Sequence, residues 1–170
     1  MNRRARLRRT GILCLHCLRN AAYYRAWNAT PRTRREEQFW LTANGNFIDI
    51  CVLEWCKIFG DKHAKHHWSK SVSDTGAFLQ GLYAHLGIDA AAFEVLRLQV
   101  RRYRDRFVAH LDADNRFDVP PLQPIIDSTR FLYNYLIENE DDVNAFHDAP
   151  RRAEPRFTEH LLEGRQAHRG

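Results

Sequence analysis

The stretch from Arg101 to Asp112, RRYRDRFVAHLD, contains the residue types that can cleave a phosphodiester bond without a metal ion. Arg104 carries a permanently charged, planar guanidinium that can bind a phosphate through two parallel hydrogen bonds. His110 carries an imidazole that gains or loses a proton near neutral pH. We therefore predict that Arg104 holds a phosphate and stabilises its charged transition state, while His110 moves a proton.

On an uninterrupted α-helix these two residues do not meet. At about 100° per residue, Arg104 and His110 lie about 240° apart around the helix axis, on opposite sides of an apolar seam. A shared site therefore requires either an unwound helix end near His110 or a second copy of the helix packed against the seam. A cleft between two subunits is the simpler solution. The same geometry turns Asp105 away from both residues, so we expect it to support Arg104 or to pair with a neighbouring arginine.

Two alternatives stay open at this stage. Arg106 lies on the same helix face as His110 and competes with Arg104 for the phosphate. In the second alternative the stretch has no chemical role. A histidine at the end of an apolar seam is then a hydrogen-bonded core residue, and the arginines beside it are solvated.

Arg104, Asp105 and the following FVAHLD resemble the Arg-x4-6-His motif of the HEPN superfamily, especially its abortive-infection and toxin-related members. In that motif the arginine is commonly followed by a polar residue, here Asp105, and lies late in a bundle helix. The segment EWCKIFGD, Glu54 to Asp61, and the His- and Trp-containing loop behind it are similar to the same branch. The resemblance covers roughly Leu13 to Leu136.

This resemblance implies a homodimer of helical bundles that places two copies of the motif in one cleft. It implies a ribonuclease that needs no metal or cofactor and leaves a cyclic phosphate. Arg104 and His110 would then be catalytic and Asp105 auxiliary, and Arg101, Tyr103 and Arg106 would be candidate RNA contacts. A toxin or phage-defence setting adds an antitoxin or regulatory protein as a partner. The family also includes inactive members that bind nucleotides, RNA or proteins, and such a module is the alternative function.

Hydrophobic periodicity predicts an all-α chain. We expect an antiparallel, HEPN-like bundle of four main helices and a shorter one in residues 11–146. A basic N-terminal tail, residues 1–10, and a C-terminal tail, residues 147–170, with at most one short helix, would flank it. Caps and apolar spacing place the five helices at about Gly11 to Asn28, Thr33 to Gly60, Thr75 to Gly87, Asp89 to His110 and Leu122 to Leu136.

Length and composition limit the class of protein. A chain of 170 residues, 44% of them hydrophobic, supports one core but not two. The apolar run from Gly11 to Leu18 is too short to span a membrane, and the arginines before it are not followed by a signal-peptide cleavage pattern. We therefore predict a cytoplasmic protein that has no membrane partner. The net charge of +5 is compatible with an RNA partner but does not require one.

The cysteines and histidines do not predict a metal site. Cys14 and Cys17 are expected to be core neighbours, and Cys51 and Cys56 lie about 140° apart on a helix. The polar loop that follows Gly60 places lysines between its histidines, and these would repel a metal cation. We expect a solvated basic loop, and the alternative is an RNA contact in which the loop touches phosphate and Trp68 stacks on a base. The side chains in question are His63, His66, His67 and Trp68.

Overall fold

The computed structural model describes residues 1–29, 37–108 and 119–167, except for the side chains of Phe107 and Val108. Over these residues all regular secondary structure is helical, which confirms the all-α prediction. Within these ranges no helix combines the length and apolar character needed to cross a lipid bilayer. The α-helices are α1 (Arg3–Asn28), α2 (Gln38–Trp55), α3 (Thr75–Leu86), α4 (Ala90–Tyr103), α5 (Leu122–Asn139) and α6 (Ala153–Ala167).

Short polar residues begin α3 and α4 as the sequence predicts. Asp74 Oδ1 accepts a hydrogen bond at 2.9 Å from a backbone N–H in the first turn of α3, and Asp89 Oδ1 does the same for α4 at 2.8 Å. Each bond satisfies an N–H group that has no partner within its helix. Gly87 ends α3 with a φ of +65°, a left-handed conformation that glycine adopts without strain. The capping box predicted for α2, Thr33 with Glu36, lies outside the described residues.

The N-terminal segment belongs to the first helix and is not a separate tail. α1 begins at Arg3 and not near Gly11. Arg3 Nη2 lies 2.8 Å from Glu140 Oε2, and Arg8 Nη2 donates to Asp148 Oδ2 at 2.7 Å. α1 therefore begins before the predicted position, because its basic side chains pair with carboxylates that follow α5 in the chain.

The C-terminal segment likewise forms a packed helix rather than a loosely attached tail. Phe157 of α6 is buried, and the guanidinium of Arg130 lies 4.2 Å from the centre of its ring. A Cβ atom on Gly164 would lie only 2.7 Å from Cβ of Ala26. Glycine at this position therefore allows α6 to pack closely against α1.

α1 lies between α2 and α5. Cys17 Sγ is 3.7 Å from Cys51 Sγ of α2 and 3.6 Å from Thr129 Oγ1 of α5. Further along α1, the ring of Tyr23 is 5.2 Å from that of Phe47, which precedes Cys51 in α2, so the two helices are antiparallel. Because the start of α1 is salt-bridged to the chain just after α5, α5 is antiparallel to α1 as well.

The apolar seam predicted for α4 is buried up to the helix end. Phe93, Leu96, Val100 and Tyr103 are each at most 6% exposed. The ring of Phe93 lies 5.9 Å from that of Phe59, which follows the end of α2. This packing fixes α4 beside α2 and determines where Arg104, directly after α4, is placed. Because the seam is filled from within the chain, a second copy of the helix does not pack against it, which corrects that expectation.

Candidate functional site

Both α2 and α4 end in a single turn of π-helix, in which hydrogen bonds close over one more residue than in an α-helix. The first π-turn, Cys56–Gly60, continues α2, and the second π-turn, Arg104–Val108, continues α4. Such turns are rare and are often found at functional sites. Arg104, predicted to bind a phosphate, and Asp105, predicted to be auxiliary, both lie in the second π-turn.

Contacts between α2 and α4 show that the two helices run in opposite directions. Arg97 Nη1 donates a hydrogen bond to the carbonyl oxygen of Gly60 at 2.6 Å. Later in α4, the Tyr103 hydroxyl donates to Asp49 Oδ1, in the middle of α2, at 2.9 Å. The first π-turn therefore packs against α4, and the second π-turn follows where α4 meets the middle of α2.

Arg104 is held by the carboxylate next to it in the chain. Its Nε and Nη2 atoms lie 2.8 Å and 2.6 Å from Asp105 Oδ1. Partial burial is the largest single effect and lowers the pKa of Arg104, but the hydrogen bond to Asp105 and the nearby Cys56, Asp105 and Asp61 together raise the pKa above its ordinary value. Asp105 thus contacts Arg104, as helix geometry led us to expect, and its auxiliary role in catalysis stays a prediction.

Cys56 of the first π-turn lies close enough to Arg104 and Asp105 for their charges to affect the pKa of its thiol. Burial raises the pKa of the Cys56 thiol to about 12, although the positive charges of Arg104 and Arg101 oppose the shift. The side chain is 1% exposed. A thiol with such a pKa is neutral at physiological pH, so Cys56 is not a nucleophile for this site.

Tyr103 is a core residue in this structure. It is 5% exposed, and its hydroxyl bonds to Asp49. Burial raises the pKa of both Tyr103 and Asp49. The ring is therefore not presented to a nucleic acid base, which differs from its prediction as a candidate RNA contact.

Arg101 lies beside the first π-turn. Its Cγ would be 3.4 Å from a Cβ placed on Gly60, and its buried Nε has no hydrogen-bond partner in the described part of the chain. The backbone N–H of His63 lowers the pKa of Asp61, and the charges of Arg101 and Arg104 lower it further. An ionised carboxylate therefore faces these two arginines. That Arg101 and Arg106 contact RNA stays a prediction.

His110 lies outside the described residues, so its position relative to Arg104 stays a prediction. The structure does change one premise of that prediction. The angle of about 240° between the two side chains assumes an uninterrupted α-helix. Because Arg104–Val108 is a π-turn, that angle no longer applies.

The loop between the first π-turn and α3 is tied to the core by its aromatic residues. The ring of Trp68 stacks on that of Phe78 at 4.5 Å and is 8% exposed. His67 is 4% exposed, and burial lowers its pKa to about 4, so the imidazole is neutral at physiological pH. Trp68 is therefore not available to stack on an RNA base, and contact of the loop with RNA phosphate stays a prediction.

The described cysteines and histidines form no cluster with the ligands of a metal ion, although Cys17 and Cys51 are neighbours in the core. Across residues 1–29, 37–108 and 119–167, no group of three or more His, Cys, Asp or Glu side chains is arranged to hold a metal ion. Cys14, Cys17, Cys51 and Cys56 are buried free thiols.

Sequence reasoning missed the contribution of α2 to the site. Asp49, which orients Tyr103, follows apolar Phe47 and Ile48, and a carboxylate in that setting is the signal that could have identified it. Asp61 was placed in a loop, with no indication that it faces arginines of α4. These neighbours depend on tertiary packing and not on spacing within one helix.

The site is assembled from the last turns of two antiparallel helices, and its described charged groups combine arginines with the carboxylates of Asp49, Asp61 and Asp105. Comparison with known proteins identified no relative of this chain. No family model matches the chain, and no curated protein or solved structure was found to be similar to it.

Proposed function

We propose that this chain is a metal-independent endoribonuclease of a toxin or phage-defence type, built on a HEPN-like bundle. The observation that carries the proposal is the Arg104–Asp105 ion pair in a π-turn at the end of a buried helix seam. Arg104 is partly exposed, permanently charged and oriented by its neighbour. These are the properties required of a group that stabilises a transition state without reorganising during the reaction.

In the proposed reaction the ribose 2′-oxygen attacks the adjacent phosphorus, and the bond from phosphorus to the 5′-oxygen breaks. The products are a 2′,3′-cyclic phosphate and a 5′-hydroxyl group. Arg104 binds the non-bridging phosphate oxygens, on which negative charge increases. His110 either accepts the proton of the 2′-hydroxyl or donates a proton to the leaving 5′-oxygen.

The site is proposed to lie in a cleft between two subunits. The outer face of α4, which leads into the second π-turn, exposes Val95 and Leu98, at 60% and 51%. Apolar side chains spaced three residues apart form one patch on a helix, and an exposed patch of this kind is typical of an interface. This patch is a surface on which a second copy of the chain can dock to form the dimer.

The test is cleavage of a single-stranded RNA pool in EDTA by the wild-type protein and by Arg104→Ala and His110→Ala variants. We expect either variant to lose about 100- to 1000-fold in rate, as for removal of a preorganised charge-stabilising group. Arg165→Ala is the matched control, because Arg165 is an exposed arginine of α6 and belongs neither to the proposed site nor to the exposed patch on α4. Circular dichroism and urea unfolding establish that each variant is folded.

The outcomes separate the proposal from its alternative. Cleavage lost in both variants and kept in Arg165→Ala supports the enzyme. If none of the proteins cleaves RNA, but the wild type binds RNA or nucleotides, the chain is a catalytically silent binding module. If His110→Ala unfolds, His110 is a core residue, and the catalytic assignment then depends on Arg104→Ala alone.

The shared cleft is tested by mixing the two inactive variants. When Arg104 of one subunit works with His110 of the other, a mixed dimer contains one intact pair. Random reassociation should then restore about a quarter of wild-type activity, because half the dimers are mixed and each has one of two sites. Either variant refolded alone is the control, and an inactive mixture that forms dimers would contradict the shared site.

A further inference from the structure

The most basic surface beside the site is formed by the loop of residues 61–70 and the start of α1. Lys62, Lys65 and Lys70 of the loop are exposed, as is Arg9 of α1. In the described part of the chain, none of these four side chains has a carboxylate oxygen within 4 Å. Positive charges that no carboxylate neutralises are what a polyanion requires of its binding surface.

The loop is held rigidly between α1 and α4. Lys70 Nζ donates to the carbonyl oxygens of His63 and Ala64 at 3.1 Å and 2.8 Å, which closes the loop on itself. Arg6 Nη1 of α1 donates to the carbonyl oxygen of Lys70 at 2.9 Å. At the other end of the loop, Gly60 accepts a hydrogen bond from Arg97 of α4. The loop therefore bridges the two helices and carries its lysines in a fixed arrangement.

The electrostatics of His66 indicate that the cations on this surface lie close together. Its Nδ1 is buried and has no hydrogen-bond partner among the described residues. Partial burial lowers the pKa of His66, and the charges of Arg9, Lys65, Lys57 and Lys70 lower it further. Side chains from α1, from the first π-turn and from the loop thus act on one imidazole.

This basic surface is continuous with the proposed catalytic turn. Asp61, the first residue of the loop, lies near enough to Arg101 and Arg104 for both charges to lower its pKa, after the larger effect of the His63 backbone N–H. Gly60, directly before Asp61, accepts a hydrogen bond from Arg97 at 2.6 Å, and a Cβ on Gly60 would lie 3.4 Å from Arg101 Cγ. Cations on three elements of the fold, with the carboxylate of Asp61 among them, therefore lie between the second π-turn and Arg9. A surface of this length is suited to several consecutive phosphates and not to a single anion.

From these contacts we infer that the loop of residues 61–70, together with Arg9, is the track along which the RNA phosphate backbone extends from Arg104. The inference rests on the proposed function, since it identifies how the substrate of that site is held. Binding is through phosphates and without stacking, because Trp68 is already stacked in the core. RNA fits better than a membrane surface, because none of residues 57–70 is an exposed large hydrophobic residue that could insert among lipids.

The test measures binding and not cleavage, so that it can fail independently of the proposed enzyme. The probe is a labelled single-stranded 2′-O-methyl uridine oligonucleotide of about 16 nucleotides, which has no 2′-hydroxyl to react. Its dissociation constant for the wild-type protein is measured by fluorescence anisotropy at several salt concentrations. The same titrations are made with Lys65→Ala and Arg9→Ala, each checked for folding by circular dichroism.

Each variant should weaken binding several-fold and reduce the slope of log affinity against log salt by about 0.7, the value for one phosphate contact on a single strand. The double variant should reduce the slope by about 1.4. Arg165→Ala is the charge-matched control, because Arg165 is an exposed arginine in α6 beside the end of α1. Along α1 that end lies about 25 Å from Arg9. The control should bind RNA like the wild type.

Equal binding by the wild type, Lys65→Ala and Arg9→Ala would overturn the track, even if Arg104→Ala abolished cleavage. Weaker binding by these variants but not by Arg165→Ala supports it, even if no protein cleaves RNA, in which case the proposed enzyme fails and the track stands. Vesicles of anionic phospholipid are titrated in parallel. Vesicle binding that depends on Arg9 and Lys65, with RNA binding unchanged, would assign the surface to a membrane and overturn the inference.

Discussion

The two π-turns have the same backbone irregularity at the same place in neighbouring helices. Their described side chains nevertheless differ in burial and in charge. In the first π-turn, Cys56, Ile58, Phe59 and Gly60 are buried. In the second, Arg104 is partly exposed and Asp105 is half exposed. The comparison teaches that a π-turn is not by itself a sign of chemistry. The first one packs α2 against α4, and the second one presents charge.

The largest expected difference between the two turns is in stability. Phe59 is 1% exposed and stacks on Trp55 at 5.3 Å, so Phe59→Ala should lower the free energy of unfolding by about 3–5 kcal/mol. Arg104→Ala removes only a partly exposed ion pair and should cost at most about 1 kcal/mol. Urea unfolding followed by circular dichroism measures both changes.

Equal costs for the two substitutions would contradict this division. A large destabilisation by Arg104→Ala would make the second π-turn a structural element like the first, and the loss of cleavage in that variant would then have no mechanistic meaning. Arg102→Ala, at an exposed position of α4, is the control for the loss of one arginine.

The loop behind the first π-turn gives a second, smaller difference, which depends on pH. Burial lowers the pKa of His67 from its ordinary 6.5 to about 4, so the folded state disfavours the protonated form. Its contribution to stability is therefore complete above pH 6.5 and is lost as the pH falls towards 4, by up to about 3 kcal/mol. His67→Asn, which cannot be protonated, should flatten the unfolding free energy over this window.

The ion pair of Arg8 and Asp148 is also sensitive to acid, but it loses its charge at a lower pH than the window between pH 6.5 and 4 assigned to His67. The hydrogen bond with Arg8 lowers the pKa of Asp148 to about 2. The stability that this pair contributes is present above pH 3.8 and is lost at lower pH, outside the window of His67. If His67→Asn has the same pH dependence as the wild type between pH 6.5 and 4, the loss comes from another group.

Helix spacing and capping residues predicted the middle of the fold well. α3 and α4 begin after Asp74 and Asp89, and the seam of α4 is buried, because these features depend on neighbours within one or two turns. The two ends of the chain were predicted wrongly for a physical reason. The start of α1 is stabilised by Arg3 and Arg8 through carboxylates far away in the sequence, and no local pattern reveals such partners.

The candidate site shows the same limit. The Arg104–Asp105 contact is one of the two pairings expected for Asp105. The π-turns were not, because one extra residue in a helical turn hardly changes the apolar spacing of a short segment. The burial of Tyr103 could be read from its place in the seam, but its hydroxyl partner Asp49 could not, because that contact requires α2 and α4 to be antiparallel.

The smallest predicted effect concerns Cys56, the residue of the first π-turn that is affected by the charge of Arg104 in the second. Because burial raises its pKa to about 12, the thiol is neutral and takes no part in cleavage, although Arg104 is near. Cys56→Ala should leave the cleavage rate unchanged and cost about 1 kcal/mol of stability, since it removes one buried sulfur atom. In the wild type, Cys56 should resist alkylation by iodoacetamide at pH 8 until the protein unfolds. Rapid alkylation of the folded protein, or a loss of cleavage as large as that of Arg104→Ala, would place the thiol in the site and remove the distinction between a packing turn and a chemical one.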